Sequence, residues 1–559
     1  MTVVNDLNTT ALGDDAPSGR TAVLDKAHLG DIHGALGSIA EDDHGPRSTL
    51  GARLKTLIAI VGPGLIVMVG DNDAGAFGTY TQAGQNYGTS LLWTLMLLIP
   101  VLYVNQEMVV RLGAVTGVGH ARLIFERFGR FWGTFSVIDL FLLNALTIVT
   151  EFIGISLALH YLGLSQFWGV LASTAIVMMA VSTGNFRRFE RFGIILVVGS
   201  LLLVPVILMV HPPIGQIATD FFIPKMPKDG KLSEVMLLIV AIVGTTVAPW
   251  QLFFQQSYIV DKRITPRFIR YERWDLCIGI ALVIIGAVAM IGFSAEVFAG
   301  RPEFGNYTDA FGTAMGLEKY AGRLPAVFFA LALLDACIIG AAAVSLATAY
   351  AIGDVFALKH SLHRKPWDAK GFYGVYFGLL VLAAVLVLTP GTPLGLLTNA
   401  VQTLAGVLLP SATVFLLLLS NDKAVLGPWA NSRRLNLFTG TVVAALVMLS
   451  IILTASVLFP DISEQWIVDI LAGGSVLALV MTVLVKLYER SAENNATFRF
   501  APREREYDRN TWRMPPLEQL PPARLSALSR IWMIVLRGYL VIAAGLVLLR
   551  IFQLATAGA

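Results

Sequence analysis

Residues 70–78 read GDNDAGAFG, and Asp71 and Asp73 place two carboxylates one residue apart. They interrupt an apolar run that begins near Leu57 and resumes over 91–103. A charge at the centre of a bilayer costs at least about 2.5–3.5 kcal/mol, so something must offset it. No Lys, Arg or His lies in residues 60–90 to do so, and a cation from solution is the simplest partner. A second interruption, GTTVAPWQ at 244–251, contains Pro249, which removes a backbone donor. Neither break holds a Cys or His, so the donors are hard oxygens. These are the Asp73 carboxylate and the backbone carbonyls of Gly70 and Thr245, with Asp71, Thr79, Gln82 and Gln251 able to form an outer shell. Oxygen ligands without sulfur or imidazole suit a hard cation. One broken helix alone is common in membrane proteins; the pair carries the argument.

The rest of the chain supplies the elements that hold these breaks. Of 559 residues, 55% are hydrophobic and 14% charged, against about 25% charged in a typical soluble protein. The mean hydropathy is +0.69. An all-α polytopic membrane protein is expected. About 20 apolar residues cross a bilayer. Candidate spans lie near 57–89, 91–110, 133–162, 167–183, 193–211, 234–259, 275–298, 323–352, 371–389, 393–420, 436–458 and 464–487, and a weaker one near 531–553 is interrupted by Arg537. An interfacial amphipathic helix is the alternative for that last stretch.

The breaks fall in the first and sixth spans, which predicts an inverted repeat of five plus five helices, about 55–212 and 233–420, with an ion held between broken helices at the midplane. Residues 1–54, polar and without apolar period, are expected to form a disordered tail, 55–488 the membrane core, 489–528 a charged linker and 529–559 a further membrane helix. Basic clusters at 111–130, 187–191, 262–270, 359–365 and 423–434 alternate with loops poor in charge. The positive-inside rule then puts the N-terminus in the cytoplasm, in a plasma (inner) membrane. Net charge of +3 gives no reason to expect a nucleic-acid partner; the expected partners are a metal ion and the lipid bilayer. Cys277 and Cys337 fall in apolar stretches and read as small core residues. No nucleophile–base pair or cofactor motif is present, so neither an enzyme nor a cofactor is expected.

Longer stretches carry a resemblance. GPGLIVMVGDNDAGAFGTYTQAGQNYG at 62–88, RLGAVTG at 111–117, TEFIGISLAL at 150–159 and QTLAGVLLP at 402–410 resemble the NRAMP family of divalent-metal transporters over roughly residues 55–420. The resemblance implies a LeuT-like fold, with two or three helices added at the C-terminus. It implies Asp73 as the family's site aspartate, Gln402 as the tenth-span glutamine ligand, and Glu151 as the survivor of a third-span Asp/Glu pair whose other member is Ile148 here. The family's first break usually reads Asp-Pro-Gly-Asn; here Ala76 stands where the asparagine would be. Its sixth span usually reads Met-Pro-His; here Ala248 and Trp250 flank Pro249.

This pattern resembles the branch called NRAMP-related magnesium transporters. A thioether favours softer ions such as Mn²⁺, Fe²⁺ and Cd²⁺, and Ala248 offers none. Ala76 and Ala248 also widen the site, which suits Mg²⁺, an ion that keeps several of its waters. Alternating-access import of partly hydrated Mg²⁺, with Mn²⁺ as a second substrate and without proton coupling, is therefore expected. Two alternatives are a proton-coupled Mn²⁺/Fe²⁺ importer of the usual family type and an organic-solute (amino-acid) transporter of the same fold. The lost methionine and histidine oppose the first. The two acids oppose the second, because a carboxylate substrate prefers helix N-termini without an acid.

Overall fold

The structure is a computed structural model that describes residues 22–227, 230–390, 412–459, 465–477 and 508–523, with isolated positions among and beyond the intervening stretches. The expected first span is three helices: α1 (Leu50–Ile60), α2 (Pro63–Val69) and α3 (Ala74–Tyr87). α4 (Trp93–Thr116) follows, then a short α5 (His120–Phe128) and the long α6 (Arg130–Tyr161). Next come α7 (Gln166–Val181), α8 (Phe186–Ser200), α9 (Leu203–Val210) and a short α10 (Ile214–Phe222). The sixth expected span is broken into α11 (Leu232–Thr246) and α12 (Pro249–Asp261). Then come α13 (Ile269–Phe298), α14 (Ala310–Ala321), α15 (Arg323–Val355), α16 (Lys370–Leu388) and α17 (Arg433–Leu458).

Among the described residues, eight helices are long and apolar enough to span a membrane, nine if α1 and α2, bent by 51°, count as one. The chain is a multi-pass helical membrane protein. Among the described residues, three helices of nine residues or more fall outside the expected spans. α5, α10 and α14 have 9, 9 and 12 residues, too short to cross. Most of 393–420, 478–507 and 531–553 lies outside the described residues, and with it the thirteenth candidate span.

The broken first span is held by close backbone approach. A Cβ at Gly64 would stand 2.8 Å from the Leu276 backbone, and one at Gly84 would stand 2.4 Å from the Ile291 carbonyl. α2 and α3 thus both lie directly on α13, as small residues permit between membrane helices. α4 packs on α12, and α15 on α6.

The kink between α1 and α2 leaves backbone groups that must find partners. Lys262 Nζ donates to the Ile60 carbonyl (2.5 Å) and the Val61 carbonyl (3.1 Å). Asp275 accepts from the N–H of Gly62 (3.2 Å) and of Gly64 (2.7 Å). Lys262 also pairs with Glu190 at 2.6 Å, and all three side chains are buried.

The N-terminal segment and the cysteines depart from expectation. Residues 22–49 do not behave as a disordered tail. They form a 3-10 turn (Lys26–His28) and a small hairpin, β1 (Ile32–His33) with β2 (Ser38–Ile39). Val23, Asp25, His28, Ile32, Ala35 and Ile39 are buried. Ionic partners hold this segment where an apolar period is missing: Asp25 pairs with Arg364 at 2.5 Å, and the Ala35 N–H donates to Glu190 at 2.5 Å. Residues 1–21 lie outside the described part. The two cysteines differ as well: Cys337 is buried, whereas Cys277 is exposed on the bundle surface, and both are free thiols.

Part of the linker is also docked. In residues 508–523, the Met514 N–H donates to the Val115 carbonyl (3.1 Å), and Arg127 donates to the Pro521 carbonyl (2.6 Å).

Candidate metal-binding site

The first break spans residues 70–73, between the end of α2 and the start of α3. Asp73 is the N-cap of α3: its Oδ1 accepts from the Ala76 N–H at 3.0 Å. This is the usual way a side-chain oxygen satisfies an orphan donor at a helix start. The N–H of Ala74, which a continuous helix would aim at the Gly70 carbonyl, donates instead to Glu151 Oε2 at 3.2 Å. In the second break, Pro249 has no N–H to offer the Thr245 carbonyl. Among the described residues no hydrogen bond ends on either carbonyl. Both expected backbone donors of electron pairs are therefore free.

The acids converge. Glu151, on α6, is fully buried; its Oε2 takes the Ala74 N–H next to Asp73, and its Oε1 has no described hydrogen-bond partner. Two buried carboxyls so placed, with no basic side chain bonded to either among the described residues, favour a proton or a cation beside them. Gly340 on α15 makes the room: a Cβ there would lie 2.8 Å from the Glu151 carboxyl carbon. Asp71 turns the other way. Its Oδ1 accepts a short hydrogen bond from Gln251 Nε2, and Gln251 Oε1 accepts from Gln106 Nε2 at 3.0 Å. Asp71 Oδ2 has no hydrogen-bond partner. Asp71 and Asp73 are only 1% and 6% exposed, so the break is nearly closed to solvent. Asn72 Nδ2 pins it by donating to the Val283 carbonyl on α13 (3.2 Å), while Tyr80 on α3 and Thr246 on α11 share a 2.6 Å hydroxyl contact.

The expected residues fall into place unevenly. Asp71, Asp73, Gly70 and Glu151 meet at the first break, and Gln251 reaches it from α12. Ala76 is fully buried on the first turn of α3, and Ala248 is the half-buried N-cap of α12. Thr79 and Gln82 lie further along α3 with no described hydrogen bond to the break. Gln402 lies outside the described residues. Sequence reasoning missed Gln106, Tyr80 and Gly340. Gln106 carried a usable signal, being an amide in an apolar run. Gly340 carried none, because what it accommodates is 189 positions away. Among the described residues no three His, Cys, Asp or Glu side chains converge at metal-ligand spacing. One or two carboxylates and two carbonyls without described hydrogen bonds are the oxygen donors at the two breaks.

Some other polar residues in the spans have structural partners. Glu107 pairs with Arg111 (2.9 Å) and Arg273 (2.6 Å), and Asn144 donates to Thr348 (2.9 Å). In RLGAVTG, Arg111 also donates to the Trp429 carbonyl (2.6 Å) and Asn431 Oδ1 (2.7 Å), and Gly117 ends α4 in the left-handed region at φ +65°. That motif ties α4 to the stretch before α17.

Membrane-length helices with two broken members, whose breaks meet around buried acids, define a secondary-transporter core. The chain belongs to the Nramp (Natural resistance-associated macrophage protein-like) family, whose model matches residues 64–456. It is 27% identical to the divalent metal cation transporter MntH of Deinococcus radiodurans over 427 residues, which covers 72% of this chain and 91% of that one. It is 29% identical to a protein of the same name from Ralstonia nicotianae, over 68% of this chain and 86% of that one. Its fold is that of a manganese transporter from Eremococcus coleocola, known from a crystal structure with an aromatic bis-isothiourea compound. The TM-score is 0.62 at 22% identity, covering 82% of this chain and 98% of that one.

Proposed function

We propose that this protein imports divalent metal ions by alternating access, with partly hydrated Mg²⁺ as the main substrate and Mn²⁺ as a second one. The names of its relatives support the divalent-metal class. The choice of Mg²⁺, and of the magnesium-transporting branch, is supported by one observation: every side chain that reaches the first break through a described hydrogen bond is an oxygen donor or an amide, while Ala248 and Trp250 stand where the family has methionine and histidine. A site with few direct oxygen ligands leaves Mg²⁺ most of its waters. The protein sits in the plasma (inner) membrane with its arginine-rich end and N-terminus in the cytoplasm.

Uptake into liposomes holding a metal-sensitive dye, with Mg²⁺, Mn²⁺ and Ca²⁺ compared, tests this. Asn caps a helix about as well as Asp, so Asp73→Asn keeps the start of α3 while removing the charge. Mg²⁺ uptake is expected to fall roughly tenfold or more, the equivalent of about 1.4 kcal/mol. Near wild-type uptake by Asp73→Asn at normal expression would remove Asp73 from the site. Mn²⁺ uptake without Mg²⁺ uptake would favour the usual family substrate instead.

A further inference from the structure

At the arginine-rich end, both terminal segments and the transporter core enclose a cavity of about 340 Å³. Its walls come from the 22–44 segment, the turn after α4 at Gly117, the loop 262–268 between α12 and α13, and the docked 508–523 segment. Three arginines line it: Arg263, Arg267 and Arg513. Arg263 sits at φ +66°, a conformation that side chains other than glycine rarely adopt. Its guanidinium is held by the carbonyls of Ala27 (3.0 Å) and Asp31 (2.9 Å). Arg267 lies 4.5 Å above the Phe268 ring and contacts His44 Nδ1 at 2.5 Å. Arg513 has no described hydrogen bond. Among the described residues none of the three is in an ion pair, and Glu41 is the one carboxylate on the wall. Burial works against the Arg513 charge, Glu41 opposes that, and Arg267 adds repulsion.

On the wall itself three guanidinium groups face one carboxylate. Asp31 and Asp261 lie near Arg263, and Asp43 and Arg47 near Arg267. The Arg513 guanidinium has no described hydrogen bond or ion pair, which suits an anion. Guanidinium forks match phosphate oxygens two at a time. The volume lies at the small end of ligand pockets, about 300–1,000 Å³. We propose that this cavity binds a phosphomonoester group, carried by a small soluble ester or by an anionic lipid headgroup, and that the bound group fastens both terminal segments to the ends of α4, α12 and α13. None of the three arginines contacts the metal site, so the inference stands apart from the transported ion.

The test is thermal unfolding of the full-length protein in phosphatidylcholine nanodiscs, titrated with AMP, with inorganic phosphate, and with adenosine and chloride at matched ionic strength as controls. A parallel arm uses nanodiscs containing phosphatidic acid. Saturable stabilisation by AMP or phosphate, absent with adenosine, identifies a soluble ester; stabilisation by phosphatidic acid alone identifies a headgroup. Either outcome supports the site, provided that Arg513→Ala and Arg267→Ala weaken the response at least tenfold. Arg513→Lys, which keeps the charge but not the fork, is expected to fall between, and it carries the test if Arg513→Ala does not fold. A wild-type response no greater than that to chloride, or arginine variants that respond like wild type, would overturn the proposal.

Discussion

Asp73 does two things with one carboxylate. Oδ1 starts α3 by taking the Ala76 N–H, and the charge stands beside Glu151, which takes the N–H of the next residue, Ala74. The helix start fixes the acid at the break, so the acid needs no contribution from a flexible loop to be in place. Ala76 lies on the first turn of α3 and Ala248 is the N-cap of α12, one beside each break, and neither carries the ligand atom that the family has there. Restoring those atoms changes the chemistry of selection. Ala248→Met adds a thioether, which softer ions prefer, and Ala76→Asn adds an amide oxygen. Calorimetry is expected to show Mn²⁺ or Cd²⁺ binding gaining on Mg²⁺ in Ala248→Met, and gaining further in the double variant. Ala76 is fully buried, and overpacking costs about 1–3 kcal/mol, so melting of the double variant must be checked first. An unchanged Mn²⁺/Mg²⁺ preference in a folded double variant means that Ala248 does not face the ion.

The two breaks were legible as elements because Gly, Pro and acids destabilise a membrane span unless the helix opens at them. Their partners were legible only in part. Glu151 came from family resemblance, and nothing in its neighbourhood of sequence indicates that it reaches Ala74 and Asp73 on another helix. The docked N-terminal segment was illegible for the same reason: Asp25 and Arg364 are 339 positions apart, and ionic anchoring leaves no periodicity. That segment also meets a titrating group. His360, in the loop after α15, faces Asp354 and Tyr350 from α15, Asp25 and His28 from the N-terminal segment, and the Leu358 carbonyl. Burial lowers its basicity, but the Asp354 charge and their 3.0 Å hydrogen bond outweigh burial and raise its pKa to about 9. The unfolded chain holds such a histidine near 6.5. A group raised on folding stabilises fully below its unfolded pKa and stops doing so as pH climbs through its folded one. The His360 contribution should therefore be complete below about pH 6.5 and gone above about pH 9. His28 and His363 are pushed down by burial and act oppositely, losing stability in acid. Wild type and His360→Gln, melted from pH 6 to 10, should differ by about 1–3 kcal/mol at pH 6, as for a buried hydrogen bond to a charged group. The gap should close by about pH 10. A gap independent of pH would mean that the Asp354–His360 pair carries no charge-dependent stability.

Across the whole bundle, the question is what drives the ion. Proton coupling requires groups that change charge during the cycle and a route for the proton, and histidine is the side chain best suited to that near neutral pH. The usual sixth-span histidine is Trp250, and the third-span aspartate is Ile148. Glu151 takes the Ala74 N–H beside Asp73, but no described hydrogen bond or ion pair joins Glu151 to a lysine, arginine or histidine. The buried Lys262, Glu190 and Asp275 are occupied with the α1–α2 kink. Membrane voltage can supply the work instead. Two charges crossing 100 mV gain about 2.3 kcal/mol each. The total, about 4.6 kcal/mol, sustains a roughly thousandfold gradient, since 1.4 kcal/mol is a factor of ten. We therefore expect Mg²⁺ uptake that follows voltage and leaves luminal pH unchanged. Liposomes with an imposed potassium-diffusion potential and a trapped pH dye measure both at once. Acidification that scales with Mg²⁺ uptake and disappears in Glu151→Gln would show that the Asp73–Glu151 pair passes a proton with each ion. Acidification that persists in Glu151→Gln would place the proton carrier elsewhere in the bundle.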